Sequence, residues 1–229
     1  MKLSDNTLTV LKNFGNINQG ILFKKGKTLR TVSTGKNILA KATIPDDIPS
    51  DFGIYDLNEF LSVVSLHKND LELEFDDKNV VISGQKGRSK TKYRFCESNM
   101  IIVPPEKELQ MPDPEISITL SESDFKWILD SANVLGSPQI AIQSDGDVVK
   151  VVTLDVSNDA SHTQALELET EGSGNKYRMI FKTENIQKIL SGGYEIKVSS
   201  KGIAHFKNTK FPIEYYITTE VGSTFEASK

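Results

Sequence analysis

The sequence predicts an α+β protein built from two similar domains. Three observations carry that expectation. One order of helices and strands runs twice along the 229 residues, a proline-rich stretch separates the two runs, and most segments alternate apolar and polar residues between turn dipeptides. The expected spans are residues 1–103, a connector over 104–115, and residues 116–229.

In the first half, Leu8, Leu11 and Phe14 recur at three-residue spacing behind Ser4 and Asp5, either of which can cap a helix. Strand-like runs follow at Gly20–Phe23, Thr28–Ser33 and Ile38–Ile44, broken by Lys25-Gly26-Lys27 and Thr34-Gly35-Lys36. Asp56 then opens a second helix, whose Leu57, Phe60, Leu61 and Val64 form one stripe. Leu71–Phe75 and Val80–Ser83 flank Asp76-Asp77-Lys78-Asn79 as a hairpin, and Lys90–Cys96 and Met100–Val103 are expected as the last strands.

The second half repeats the order. Ile116–Leu120 is a strand, and Ser121-Glu122-Ser123-Asp124 resembles a capping box ahead of the stripe Phe125, Ile128, Leu129 and Ala132. Pro138–Gln143 and Val148–Leu154 pair across a turn centred on Asp145-Gly146. Leu166–Thr170 and Tyr177–Phe181 read as strands, and Thr183–Leu190 as a helix capped by Thr183 and stopped by Ser191-Gly192-Gly193. Tyr194–Val198, Ile203–Lys207 and Glu214–Thr219 close the domain. Pro104, Pro105, Pro112 and Pro114 are four of the chain's eight prolines, and they make the connector extended and semi-rigid.

Composition narrows the class. A hydrophobic fraction of 38% and a charged fraction of 25% suit a soluble globular chain, and no apolar run reaches the roughly 18 residues of a membrane helix. The N-terminus lacks a signal-peptide core, and the lone Cys96 cannot form an internal disulfide, so a cytosolic address is expected. The formal net charge of −4 is uneven: residues to Gln110 carry +2 and the remainder −6. Charge attraction alone would therefore not hold this protein on DNA.

No catalytic or metal-binding constellation emerges, and no cofactor is expected. His67, His162 and His205 lie far apart in sequence without metal-ligand spacing and read as surface or structural residues. Cys96 sits in a strand-like run and reads as a buried thiol. Ser144-Asp145-Gly146-Asp147 lacks the remaining ligands of a calcium loop. Gly84-Gln85-Lys86-Gly87-Arg88-Ser89 has the wrong spacing for a phosphate loop and precedes a strand rather than a helix. Lys86, Arg88, Lys90, Lys92 and Arg94 recur at every second residue, as one face of an extended strand would require. Such a row is either a solvated edge or a phosphate-facing surface. The basic turn at Lys24, Lys25 and Lys27 has the same two readings. Lys12, Lys126 and Lys188 fall off their helices' apolar stripes, so they face solvent or DNA. Trp127 is expected to pack on a neighbouring sheet, with a partner contact as its alternative.

Two blocks carry a family resemblance. Met1-Lys2-Leu3-Ser4, Leu11-Lys12-Asn13-Phe14 and Ile17-Asn18-Gln19-Gly20-Ile21 form the first; Ile54-Tyr55-Asp56-Leu57-Asn58-Glu59-Phe60-Leu61 with Ser65-Leu66 forms the second. Together they resemble the DNA sliding clamps of T-even-type bacteriophages, the processivity factors of phage polymerases. Beyond residue 66 the resemblance rests on length and element order. It implies the DNA clamp fold: two domains per chain closed head to tail as a homotrimer, helices lining the hole and antiparallel sheets outside. Its implied partners are double-stranded DNA held non-specifically, the phage polymerase, an ATP-driven clamp loader and late transcription factors, in the cytoplasm of the infected host. The DNA-facing residues implied are Lys12, Lys126 and Lys188, with Lys86 and Arg88 of the basic row. Val103, Leu109 and Met111 are implied at the rim of a polymerase-peptide pocket. The competing expectation is a trimeric virion or tail component that binds protein.

Overall fold

Ser4 starts the first helix. Its backbone is extended and its Oγ accepts the Thr7 amide hydrogen at 3.3 Å, so one unsatisfied donor of the first turn gains a partner. In the computed structural model, which describes residues 1–67 and 70–228, this helix (α1, Asp5–Ile17) buries Val10, Leu11, Phe14 and Ile17. The chain divides into two compact units, Met1–Lys107 and Glu108–Lys229. Lys68, Asn69 and Lys229, which the expected domain spans include, lie outside the described residues.

In the first unit α1 is followed by β1 (Ile21–Phe23), β2 (Gly26–Val32), β3 (Ile38–Ile48) and β4 (Phe52–Ile54). β1 pairs antiparallel with β4, and β2 with β3. Helix α2 (Leu57–Leu66) begins where Asp56 accepts the Glu59 amide at 2.9 Å, and it buries Leu57, Phe60, Leu61 and Val64. A three-stranded antiparallel meander follows: β5 (Glu72–Phe75), β6 (Asn79–Gly84) and β7 (Ser89–Arg94). Phe52 centres the aromatic part of this core, with ring centroids 4.5 Å from Phe23, 5.2 Å from Phe75 and 4.8 Å from Phe95.

The apolar run Met100–Val103, expected as a strand, is not one. A 3-10 turn over Ser98–Met100 leads into irregular chain. Asn18 fixes that segment, because its Nδ2 donates to the Ile102 carbonyl at 2.8 Å while its Oδ1 accepts the Gly20 amide at 3.2 Å. Ile101 is buried beside Gly53, which leaves no room for a side chain: a Cβ there would stand 2.7 Å from the Cys96 carbonyl oxygen.

The second unit holds β8 (Ile116–Leu120), α3 (Glu122–Leu135), β9 (Gln139–Asp145), β10 (Val148–Leu154), β11 (Gln164–Glu171), β12 (Lys176–Lys182), α4 (Thr183–Ile186), β13 (Tyr194–Ser199), β14 (Ile203–Asn208), β15 (Ile213–Thr218) and β16 (Thr224–Glu226). One antiparallel sheet has the order β11-β10-β9-β12-β16, and a second run has the order β15-β14-β13-β8. Ser121 caps α3 by accepting the Asp124 amide, and Gly136 ends it in the left-handed conformation. Asp145 accepts the amides of Asp147 and Val148 in the expected hairpin turn, where Gly146 has φ +116°.

The helix expected over Thr183–Leu190 is shorter, and Thr183 is not its cap. Its hydroxyl donates instead to the Ser137 carbonyl at 2.8 Å, and regular helix ends at Ile186. The chain beyond is pinned by two tyrosines: the Tyr194 hydroxyl donates to the Leu190 carbonyl, and the Tyr215 hydroxyl accepts the Leu190 amide at 3.0 Å. Burial pushes both hydroxyls well above the ordinary tyrosine pKa, so they stay protonated and able to hydrogen-bond. Phe125, Phe181, Tyr194 and Phe206 complete this core. No helix among the described residues is long and apolar enough to cross a membrane.

Candidate DNA and partner interfaces

Lys12 is exposed on α1 because Val10, Leu11, Phe14 and Ile17 turn the opposite face inward. It stands on the rim of a groove between α1 and α2, with Leu8 and Leu61 among its walls. Lys126 is exposed on α3, 4.0 Å from Asp130, and both side chains keep most of their surface in solvent. Lys188 differs, since it lies past the end of α4, half-buried and engaged by neighbours. Trp127 is only partly covered. It keeps 40% of its surface exposed on α3, and Val134, seven residues on and therefore on the same side, keeps 85%.

The five-residue basic row is only partly a strand face. Lys90, Lys92 and Arg94 alternate as exposed residues along β7, with Thr91 and Tyr93 half-buried between them. Lys86 and Arg88 instead sit in the tight turn between β6 and β7, where Gln85 and Lys86 adopt φ of +51° and +58°. The turn breaks the two-residue period, so those two cations do not join the strand face. β7 pairs with β6 alone among the described residues, leaving its outer edge free. In the second unit β11 is likewise an edge, paired only with β10 among the described residues. Its exposed positions include Glu167 and Glu169, while Leu166 and Leu168 are half-buried on its other face. Of these two edges, β7 is basic and β11 acidic, although Glu167 also pairs with Lys150 at 2.9 Å.

Val103 lines a cavity of about 360 Å³ in the first unit, over an apolar floor shared with Leu22 and Pro104. Its rim carries Lys24, Lys25, Lys27 and Arg30, faced by Glu106. Leu109 is exposed and Met111 half-buried, both in the second unit. The two readings given to the basic turn at Lys24–Lys27 therefore missed a third, a pocket wall. Leu22 of its floor is a sequence neighbour of the turn, but Val103 and Pro104 lie nearly eighty positions away, which local sequence does not reveal.

The titratable residues elsewhere serve structure. His67 is buried, with Nε2 3.0 Å from the Thr91 hydroxyl. His205 stacks on Tyr216 and contacts Glu214 at 2.9 Å. Burial pushes the half-buried Cys96 thiol upward, the opposite of what an activated nucleophile needs. Among the described residues no group of three or more His, Cys, Asp or Glu could hold a metal.

Residues 3–103 match the family model of the DNA polymerase processivity factor. The sliding clamp of Vibrio phage KVP40 is 29% identical over 225 residues, covering 96% of this chain and 99% of that one. The sliding clamp of Escherichia phage RB69 is 30% identical over 233 residues, covering 99% of this chain and 100% of its own. The chain belongs to the sliding clamps of T4-type phages. That membership displaces the alternative of a virion or tail component, and it makes the protein an accessory factor of DNA replication rather than an enzyme. The sliding-clamp fold extends to distant proteins. The PCNA of A. fulgidus, in a structure with the C-terminal region of FEN-1 bound, aligns with a TM-score of 0.68 at 18% identity, covering 95% of this chain and 96% of that one.

Proposed function

We propose that three copies of this chain close head to tail into a ring around duplex DNA, with the basic edge β7 of one copy laid along the acidic edge β11 of the next. The pair of free edges with opposite charge is the observation that carries this reading. An unpaired edge leaves a row of backbone donors and acceptors that another strand can satisfy. Because the two edges are different surfaces, their pairing is heterologous and generates a ring when the rotation closes. With two units per chain, three chains give six. Lys90, Lys92 and Arg94 then face Glu167 and Glu169, and cross-strand pairs of opposite charge fix which edges meet.

A closed ring retains DNA by topology, so a formal net charge of −4 is no obstacle, and a few cations suffice for weak, sequence-independent phosphate contact. We assign that contact to Lys12, Lys126 and Lys188; Lys86 and Arg88, displaced into the β6–β7 turn, are left out of it. An ATP-driven loader opens the ring in the cytoplasm of the infected host. The polymerase docks by a peptide on the connector over residues 104–115 and its surroundings, where Val103, Leu109 and Met111 offer apolar surface. The FEN-1 segment bound to the archaeal relative in fold supports that mode. Sedimentation tests the assembly: the chain should run at three times its 25.4 kDa mass. After loading onto a nicked circular plasmid it should stay bound in high salt until the circle is cut. A monomer mass, or retention that cutting does not change, overturns the proposal.

A further inference from the structure

We infer that an apolar seam closes the joint between copies on its helix side, where Trp127 and Leu135 on α3 of one copy pack against Val63 and Leu66 on α2 of the next. This rests on the proposed pairing of β7 with β11 and adds a second surface to it, of different chemistry.

The strand edges alone make a small joint. β7 has six residues, and exposed ion pairs along it contribute little each, whereas a stable interface commonly buries about 1,200–2,000 Å². Each copy also leaves large apolar side chains uncovered beside the same two edges. In the second unit the sheet runs β11-β10-β9-β12-β16, with α4 packed on β12 and α3 over β10 and β11. One flank of α3 meets the segment after α4, where the Gln187 amide donates to Asn133 at 2.6 Å. At about 3.6 residues per turn, the opposite flank, toward β11, carries Asp124, Trp127, Ser131 and Leu135. Trp127 and Leu135 are both exposed there. In the first unit α2 lies along β7: the Tyr93 hydroxyl donates to Glu59 at 2.8 Å, and His67 Nε2 is 3.0 Å from the Thr91 hydroxyl. Leu66, next to His67, keeps 74% of its surface exposed, and Val63 one turn earlier is half-buried. The proposed pairing sets the cations of β7 and the carboxylates of β11 on one face. Thr91 and Tyr93 then share the other face with Leu166 and Leu168, and the flanks of α2 and α3 meet above them. Duplex DNA is the poorer occupant, since Asp124 shares that flank of α3 and repels phosphate.

Trp127 is the chain's single tryptophan, so its emission reports the seam without a label. A dilution series of the full chain, followed by light scattering and tryptophan emission together, tests the seam. Emission is expected to shift to the blue in step with trimer formation, before any DNA is added. Leu66→Ala should weaken association about fivefold per interface, hence about a hundredfold for a ring of three. That loss should persist in high salt, where an exposed ion pair fades. Leu135→Ala should act likewise, and it keeps the test valid should Leu66→Ala disturb the end of α2. Val221→Ala, in the exposed loop before β16 at the far edge of the sheet from β11, should leave association unchanged. A trimer that forms with unshifted emission, or with wild-type association in both leucine variants, overturns the seam and leaves the β7–β11 pairing standing. So does a shift seen only after loading onto DNA, which would make Trp127 a DNA contact. A chain that stays monomeric at every concentration overturns both.

Discussion

Charge reversal at the two free edges is the sharpest handle on assembly. Lys92 lies in the middle of the β7 row, so with β11 alongside it has a carboxylate opposite or diagonal in any nearby register. Lys92→Glu converts that attraction into repulsion. A cross-strand pair of opposite charge contributes roughly 0.2–1 kcal/mol, and a like-charged pair disfavours pairing by a similar amount, so each interface should weaken by roughly 0.5–2 kcal/mol. A ring has three such interfaces, so the trimer should lose roughly 1.5–6 kcal/mol, or about ten- to twenty-thousand-fold in association. Glu169→Lys should do the same from the other side. The double variant should recover most of the loss, because it restores opposite charges with their signs exchanged. Light scattering after size exclusion, run over a dilution series at low and high salt, reads the mass directly. High salt should narrow the gap between wild type and each single variant, as expected for exposed charges. Lys92 and Glu169 are both exposed, so the fold of each unit should stay within about 0.5 kcal/mol of wild type. A double variant no better than the singles would refute the pairing of these edges, whatever the singles did.

Other expectations rest on single residues. Gly53→Ala should destabilise the first unit by about 1–3 kcal/mol in chemical denaturation, because the added methyl meets the Cys96 carbonyl and Ile101; an unchanged midpoint would mean that this contact relaxes freely. Burial pushes the Asp46 carboxyl upward, but hydrogen bonds from Thr7 and Ser4 outweigh it and hold the pKa below the usual value. A carboxyl lowered by folding contributes stability above its unfolded pKa of about 4 and loses it as pH falls through the folded value. Asp46→Asn should therefore be less stable than wild type at pH 7 by about 1–2 kcal/mol, and the gap should close towards pH 3; a gap independent of pH would rule out this carboxylate as the cause. Lys12→Glu with Lys126→Glu should shorten retention on circular DNA and flatten its salt dependence without lowering the trimer mass, and unchanged retention would remove both from the DNA-facing set.

Much of the fold could be read locally, where one short polar side chain decides an element. Ser4, Asp56 and Ser121 each precede an apolar stripe and each accepts an amide of the first turn. Asp145-Gly146 announced its hairpin in the same way. The failures have non-local causes. Met100–Val103 is apolar enough for a strand, but the Asn18 amide eighty-four residues away takes the Ile102 carbonyl. Thr183 was expected to cap a helix stopped by Ser191-Gly192-Gly193, yet its hydroxyl serves Ser137. β4 and β16 have three residues each, too few to show a period. The basic row misled at Lys86 and Arg88 because Gln85 and Lys86 adopt left-handed backbone without being glycine, which sequence alone does not signal. Of the interfaces, the exposure of Lys12 and Lys126 was legible in helical periodicity. The cavity beside Val103 was not, since strands β1 and β2 had first to be brought beside the segment after β7.

Negative-stain electron microscopy of the purified protein tests ring closure most directly. Class averages should show closed rings of three chains, six lobes around a hole wide enough for duplex DNA. Compact particles at high concentration, or trimers without a hole, would contradict it.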